Sequence, residues 1–200
     1  MVKRTFLSLA VSIWFAAVCA GLWMMFQYES TPARATAAAA EWPANSPIAM
    51  QPGAPNLLFF VHPQCPCTRA SVAELSRLIA RVGPDRVHVV AVACHPANTA
   101  PDWLETDTVN TLTQFPGIQI ADDLNGALAR RFGAQVSGEA LLYDELGRLL
   151  YQGGVTGARG HEGDNAARDA LEARILRRES ALMKMPTFGC SLFSEAMTKE

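Results

Sequence analysis

The sequence has no surplus of positive charge and few cysteines. Its 17 lysine and arginine residues stand against 19 acidic ones, so the formal net charge is -2, and no basic run is interleaved with aromatic residues. Because nucleic acids are bound through such basic surfaces, we expect no nucleic acid partner. Five cysteines are too few and too unevenly spaced for a small scaffold held together by disulfides.

Several signatures of common chemistries are also missing. The sequence has no phosphate-binding loop, no nucleophile elbow and no helical His-Glu-x-x-His, and the glycines after Tyr151 lack the spacing of a dinucleotide fingerprint. No organic cofactor is therefore required by any motif. Half of the 200 residues are hydrophobic, which is enough for a membrane segment and one domain with its own core.

One long apolar run is present near the N-terminus. Residues 5–26 carry no charged side chain and follow Lys3 and Arg4. A helix of this length crosses the roughly 30 Å of a hydrocarbon core, and the preceding positive charges keep its start in the cytoplasm. We therefore predict contact with the membrane through residues 5–26, as a single pass in the inner (cytoplasmic) membrane with the domain in the periplasm. A cleaved signal segment is the alternative, since residues 33–35 have the small-x-small form.

The chain divides into three parts by composition. Residues 1–28 are the predicted anchor or signal segment, and residues 56–200 form the predicted domain with a C-terminal tail. Residues 29–55 are rich in alanine and proline, which predicts a spacer that holds the domain off the bilayer. Cys19 lies inside the apolar run without a lipoprotein box and is interpreted as a packing residue.

Hydrophobic periodicity predicts strands joined by helices in the domain. A last helix is predicted to begin at Asp164 or Asn165 and to continue towards Pro186. Helical connections give parallel strands and the turn at residues 144–147 adds an antiparallel hairpin, so an α/β fold with a mixed sheet flanked by helices is expected. The predicted strands are 57–61, 87–93, 118–121, 140–143 and 149–151, and the other predicted helices are 70–82, 103–112 and 125–132.

Two cysteines lie between the first strand and the first helix, in the sequence FVHPQCPCT of residues 60–68. Free backbone N–H groups and the dipole at a helix start stabilise a thiolate and lower its pKa from about 8.5 to about 3.5–7.5. Cys65 and Cys67 are therefore predicted to be the reactive centre, on an exposed surface because prolines flank them. Two inert buried cysteines are the alternative.

The chain resembles the thioredoxin superfamily at this point, especially its membrane-anchored extracytoplasmic members of the TlpA and ResA type, and most closely the RedB-like proteins. The resemblance covers about residues 57–192 and is carried by residues 62–67 (HPQCPC), 160–165 (GHEGDN) and 186–190 (PTFGC). It implies a thioredoxin-like fold, places Cys65 where the family has its nucleophile, and motivates the prediction that Cys190 approaches Cys65.

Two features depart from the family pattern. The cysteine spacing is Cys-x-Cys, so a disulfide between Cys65 and Cys67 would close a strained ring that is easier to reduce. Residues 135–138 (QVSG) contain no proline where the fold normally keeps a cis-proline, so substrate docking is expected to be altered.

The predicted topology brings further side chains to the same edge of the sheet. A right-handed crossover places the end of the second strand, with Cys94 and His95, beside Cys65. The second hairpin strand leads to a glycine-rich loop over residues 153–165. The predicted supporting residues are His62, Pro63, Arg159 and His161, and the candidate ligands for copper or zinc are Cys65, Cys67, Cys94, His95 and His161.

Three functions are compatible with these residues. The first is a thiol–disulfide oxidoreductase acting on protein thiols and disulfides, in which Cys65 attacks, Cys67 or Cys190 resolves, and His62 or Arg159 favours the ionisation. The second is a module that binds or delivers copper or zinc. The third is a scaffold for the assembly of a membrane or electron-transfer complex, which needs neither Cys65 nor Cys67.

Overall fold

The structure, a computed structural model, describes residues 2–97, 99–178 and 182–193. Two short 3-10 helices, Pro84–Arg86 and Pro101–Leu104, supplement five α-helices and five strands in this part of the chain. The elements are, in chain order, α1 Val2–Ser30, β1 Asn56–Val61, α2 Thr68–Val82, β2 His88–His95, α3 Asp107–Thr113, β3 Ile118–Leu124, α4 Ala127–Phe132, β4 Glu139–Tyr143, β5 Leu149–Gly153 and α5 Ala166–Ile175.

The five strands form one mixed sheet in the order β3-β2-β1-β4-β5. β1 lies in the centre and pairs in parallel with β2 and antiparallel with β4, so that Phe60 lies opposite Val92 on one side and Glu139 on the other. All six residues of β1 are buried, which explains its continuous apolar sequence. The predicted mixed sheet flanked by helices is confirmed.

The sheet has an apolar core on each face. On one face Leu57 and Phe59 of β1 pack with residues of α2 and α5, among them Leu75 and Leu171. On the other face Leu58 and Phe60 pack with residues of α4 and β4, including Phe132 and Tyr143. Alternate side chains of one strand point to opposite faces, and this alternation decides on which side of the sheet each later residue lies.

The segment that follows α1 lies along the domain. Ala39 N donates to Phe132 O at 3.0 Å, Trp42 N donates to Gly147 O at 2.7 Å, and the Trp42 ring packs edge-on against the rings of Phe132 and Tyr143 at 5.0 and 5.3 Å. Within the predicted spacer of residues 29–55, Ala38, Trp42 and Ile48 pack against the apolar core on the second face of the sheet. Burial of the Trp42 ring and these backbone hydrogen bonds stabilise that arrangement.

Two of the predicted helices differ from the structure by more than two residues. The predicted helix over 103–112 is split, because Glu105 has a non-helical backbone and Thr106 caps α3 by accepting a hydrogen bond from Val109 N at 3.3 Å. Asn165 caps α5 as predicted, with its Oδ1 accepting from Arg168 N at 2.9 Å. However, α5 ends at Ile175 rather than near Pro186, because the chain turns into the left-handed region at residue 177.

The apolar run forms most of α1, as predicted. The span from Lys3 to Ser30 has a mean hydropathy of 2.0 in its most apolar window, and none of that window is buried by the rest of the chain. Large side chains such as Trp14 and Trp23 are more than 60% exposed. A continuous apolar surface of this size needs a cover other than water, so α1 is a candidate transmembrane span.

Candidate functional site

Three cysteine sulfurs meet at the junction between β1 and α2. Cys65 and Cys67 lie in the connecting loop, and Cys190 comes from the C-terminal tail. The Sγ atoms of Cys65 and Cys190 are 3.0 Å apart, and all three Sγ atoms lie within 4.8 Å of one another. The predicted approach of Cys190 to Cys65 is confirmed. The separation is about 1 Å longer than a disulfide bond, so the two sulfurs need to move little to form a disulfide when an oxidant, such as a partner disulfide, takes up their two electrons.

The tail reaches this position by pairing with the segment before β4. Ser137 N donates to Cys190 O at 2.8 Å and Leu192 N donates to Gln135 O at 2.9 Å, in an antiparallel bridge. Leu192 is fully buried in the core of the second face. A side chain on Gly189 would place its Cβ 1.9 Å from Ser137 O, so glycine is required before the cysteine.

Ser137 joins the two ends of the loop that carries Cys65 and Cys67. Its Oγ accepts a hydrogen bond from His62 N at 2.8 Å and lies 2.6 Å from Thr68 Oγ1. It thus connects the end of β1 to the first residue of α2. Ser137 lies in the segment where the resemblance predicts a proline, and every peptide bond among the described residues is trans. The sequence drew attention to this segment only by its missing proline, and the role of Ser137 was not predicted.

The surroundings of Cys65 favour its thiolate. Burial alone would raise the pKa of Cys65, but hydrogen bonds from the Cys190 thiol, the Thr68 side chain and the backbone N–H groups of both residues outweigh it, and the pKa lies below the ordinary value for cysteine. Thr68 N–H is the first amide of α2, as expected for a thiolate at a helix start. Because Cys65 ionises first, the Cys190 thiol is the donor between the two sulfurs.

The other two thiols ionise less readily. Burial raises the pKa of Cys67, the negative charge on Cys65 raises it further, and the guanidinium of Arg159 opposes the rise. For Cys190, burial together with the hydrogen bond and the charge of Cys65 raises the pKa to about 12. The site therefore contains one sulfur that ionises readily and two sulfurs beside it that keep their protons to higher pH.

Cys65 is less exposed than the sequence predicts. Only 4% of its surface is exposed, whereas Cys67 is half-buried. Cys65 is covered by Cys190 and the C-terminal tail, which are distant in the sequence, so a local pattern does not reveal this burial. Cys65 remains accessible from one side through a cleft of about 250 Å³, which is lined by Pro63, Gln64, Pro66, Arg69 and residues 106–108.

His62 does not supply a positive charge to the cysteines. Burial lowers its pKa, so its imidazole is neutral at pH 7, and the ring packs edge-on against Trp103 with centroids 6.3 Å apart. Its Nδ1 has no hydrogen-bond partner among the described residues. The expectation that His62 promotes thiolate formation electrostatically is therefore wrong, and Arg159 is the cation beside the sulfurs.

The remaining predicted ligands lie apart from the sulfurs. Cys94 is fully buried on the second face of the sheet, where burial and the nearby Asp123 raise its pKa to about 12. His95 Nε2 pairs with Asp122 Oδ1 at 2.5 Å, and the exposed His161 contacts Arg159 O through Nδ1 at 3.2 Å. In the described part of the chain the group of side chains that could hold a metal ion consists of Cys65, Cys67 and Cys190. Cys94 does not join it, because β2 continues to His95 and directs Cys94 into the core, and the two histidines make the other contacts given above.

A buried ion pair holds the glycine-rich loop beside the site. Arg168 Nη1 lies 2.5 Å from Glu74 Oε2, with both side chains at most 2% exposed, and Gly163 N donates to Glu74 Oε1 at 2.8 Å. Arg168 also contacts Asp164 Oδ1 at 2.7 Å. The pair connects α2 to α5 across the loop that carries Arg159. No local pattern in the sequence signals it, because its members are far apart in the chain.

Comparison with known proteins gives structural neighbours only, since no family model and no curated protein matches the chain. A hypothetical protein from Sinorhizobium meliloti is 23% identical with a TM-score of 0.55, over 70% of this chain and 80% of that one. An uncharacterized conserved protein from Geobacillus kaustophilus is 21% identical with a TM-score of 0.55, over 71% and 78%. A secreted disulfide oxidoreductase from Mycobacterium tuberculosis, homologous to DsbE, is 19% identical with a TM-score of 0.42, over 63% and 83%.

The fold is thioredoxin-like. A fold of this kind consists of a parallel β-α-β unit followed by an antiparallel hairpin and a closing helix, which here are β1-α2-β2, β4-β5 and α5. The cysteine pair lies directly before α2. The thioredoxin-like fold predicted from the resemblance is thus confirmed. Identities below 25% extend only to the fold, so the activity has to be argued from the sulfurs themselves.

The ionisation order of the thiols predicts a selective alkylation. The thiolate fraction rises with pH through each pKa, so a lowered pKa makes Cys65 react with iodoacetamide at lower pH than an ordinary thiol. Cys67 should follow at higher pH, and the buried Cys94 should stay unmodified while the chain is folded. Short pulses across a pH series, read by peptide mass spectrometry, measure this order. Modification of Cys67 at lower pH than Cys65 would contradict it.

Proposed function

We propose that the chain is a membrane-anchored thiol–disulfide oxidoreductase whose redox pair is Cys65 and Cys190. The observation that carries the proposal is the 3.0 Å separation of the two sulfurs, of which Cys65 has a lowered pKa and Cys190 a raised one. A nucleophile and a neighbouring protonated thiol are the two groups that disulfide exchange needs. The proposal includes the RedB-like subtype, the inner membrane as location and the periplasm as compartment.

The first step is attack on a partner disulfide. The Cys65 thiolate bonds to one sulfur of the partner, the partner disulfide breaks, and its other sulfur leaves as a thiolate that takes up a proton. The N–H of Thr68 and the Cys190 thiol stabilise the attacking charge before the step. The product is a mixed disulfide between Cys65 and the partner.

The second step is resolution by Cys190. Formation of the mixed disulfide removes the negative charge from Cys65, and that charge is one of the causes that hold the pKa of Cys190 at about 12. The Cys190 thiol then loses its proton more readily, attacks the Cys65 sulfur and releases the second partner thiol. Two electrons pass to the partner, and the chain retains a Cys65–Cys190 disulfide that an external dithiol reduces again.

The proposal is tested with the full chain in vesicles and a soluble peptide that contains one intramolecular disulfide. With a dithiol as reductant, the parent chain should reduce the peptide with turnover and Cys65→Ser should not. Cys19→Ser is the matched control and should keep the activity, because Cys19 lies in α1. A parent rate no higher than that of Cys65→Ser would refute the proposal.

Copper or zinc binding is a second candidate function, favoured by the third sulfur. Cys67 is not needed for the two steps above, yet its Sγ lies within 4.8 Å of the other two. In a zinc site with bonds of about 2.3 Å the sulfurs are about 3.8 Å apart, so the three thiols fit a metal with little movement. Soft thiolate ligands favour Cu(I) or zinc, and Cys65, Cys67 and Cys190 would be the ligands.

Metal binding is tested by titrating the reduced chain with Cu(I) against a competing chelator. One ion should bind per chain with sub-micromolar affinity, and Cys67→Ser should weaken the binding. Because the metal uses the same sulfurs as the disulfide, bound Cu(I) should also block oxidation of Cys65. An affinity unchanged in Cys67→Ser would exclude the three-thiolate site.

A further inference from the structure

The end of the membrane helix contacts the loop that borders the sulfurs. The backbone N of Arg159 donates to Glu29 O at 3.0 Å, and its Nε donates to Tyr28 O at 3.1 Å. The guanidinium carbon also lies 4.9 Å above the centre of the Tyr28 ring. Two hydrogen bonds and a cation–π contact thus bind the last turn of α1 to the domain.

The same arginine holds the tail that carries Cys190. Arg159 Nη1 donates a hydrogen bond to Gly189 O, the residue directly before Cys190. A second connection lies nearby, where Ala33 N donates to Thr187 O at 2.9 Å. The anchor end and the cysteine tail are therefore joined through one side chain and one backbone bond, with no free spacer between them.

The position of Tyr28 sets the depth of this junction in the membrane. Tyr28 follows the last residue of the apolar run, Phe26, by two residues, or about 3 Å of helix. Tyrosine rings collect at the level of the lipid headgroups, and arginine side chains extend to the same level. The Arg159–Tyr28 contact therefore lies at the membrane surface, with Cys190 directly beside it.

We infer that the cysteine centre acts on disulfides presented at the depth of the lipid headgroups, in a membrane-embedded or membrane-tethered polypeptide. This inference rests on the proposed function. The Cys65–Cys190 dithiol donates two electrons to that disulfide by the two steps given above, and both partner sulfurs leave as thiols. Because the domain is docked on its anchor, it meets partners in the same bilayer at high effective concentration, and it has little reach towards solution.

The inference is tested by moving the domain away from the membrane without changing its contacts. A flexible Gly/Ser segment of about 20 residues, with a reach of about 25 Å, is inserted between Gln27 and Tyr28. Tyr28 and Glu29 stay with Arg159 in this variant. The same segment inserted between Val2 and Lys3, at the other end of α1, is the matched control.

The substrate probe is the disulfide peptide, either free or coupled to the headgroup of phosphatidylethanolamine in phosphatidylcholine vesicles by a short spacer. All three proteins should reduce the free peptide equally. The parent and the control should reduce the tethered peptide about tenfold faster than the Gln27–Tyr28 insertion variant, because the insertion lowers the effective concentration. Equal rates of the parent and the Gln27–Tyr28 insertion variant on the tethered peptide would overturn the inference. A parent chain that reduces neither peptide would refute the proposed function instead.

A second measurement reports the depth without any redox activity. His161 is exposed beside Arg159, so a dye can be attached through His161→Cys after the native cysteines are replaced with serine. Lipids with a quencher in the headgroup should quench this dye strongly in the parent background and weakly in the Gln27–Tyr28 insertion variant. Equal quenching in both would overturn the inference even if the enzyme is active.

Discussion

Replacement of Cys190 with serine is expected to lower turnover of a disulfide peptide by about a hundredfold, because an intramolecular attack over 3.0 Å is replaced by attack from a reagent in solution. The mixed disulfide on Cys65 should accumulate in this variant. Cys67→Ser should keep most of the turnover, since Cys67 carries neither step. Mass spectrometry of the trapped adduct and of the oxidised parent, which should contain a Cys65–Cys190 disulfide, measures both effects.

An independent variant separates the Cys65 and Cys190 sulfurs and keeps every thiol. Gly189→Ala places a Cβ against Ser137 O, so the tail has to move away and Cys190 leaves Cys65. The loss should resemble that of Cys190→Ser. Gly157→Ala is the matched control, because its Cβ would meet only Asn165 Cβ at the ordinary distance of 3.4 Å.

The outcome that would contradict both predictions concerns the cysteine variants. Accumulation of the mixed disulfide in Cys67→Ser, but not in Cys190→Ser, would make Cys67 the resolving residue.

Replacement of Arg168 with methionine is expected to lower the free energy of unfolding by about 3 kcal/mol, because the fully buried carboxylate of Glu74 loses its buried partner and keeps only the half-exposed Arg77. This corresponds to a decrease of about 10 °C in the melting temperature for a chain of this size. The loop at Gly163 should loosen as well, since its N–H binds the same carboxylate. Denaturation of the full chain in detergent micelles measures the change.

Two controls separate the buried pair from general charge effects. Arg81→Met, on the same helix as Glu74, removes ion pairs of a half-exposed arginine and should cost less than about 1 kcal/mol. The double variant Glu74→Leu with Arg168→Met removes both charges together and should recover a large part of the loss. A loss in Arg168→Met no larger than that in Arg81→Met would contradict the prediction.

The predictions that succeeded from sequence depend on neighbouring residues. The apolar run before residue 27 indicates α1, the sequence LLFFV indicates a strand covered on both faces, and the spacing from Ala70 to Val82 indicates α2. Cys65 lies in the short loop directly before that helix, as its position between the two patterns predicts. Such patterns repeat every two or every 3.6 residues, and the periodicity is set by local backbone geometry.

The errors concern the face and the partners of single residues. Cys94 was placed at the rim with Cys65, but two more residues of strand turn it into the core of the second face. His62 was expected to act by its charge, but burial keeps it neutral. A shift of one residue along a strand reverses the side on which a side chain lies, and strand ends are set by pairing with β3, which no local pattern reveals.

The sequence by itself determined an apolar helix followed by a mixed α/β domain with two cysteines before its first domain helix, because hydrophobic periodicity and helix-start chemistry act over a few residues. Only the tertiary structure decided that the Cys190 sulfur lies 3.0 Å from that of Cys65, that Cys94 is buried in the core with a raised pKa, and that Arg159 joins the tail to α1. These contacts join residues that are far apart in the chain. The contact of Cys190 with Cys65 forms only when the C-terminal tail pairs with the segment around Ser137.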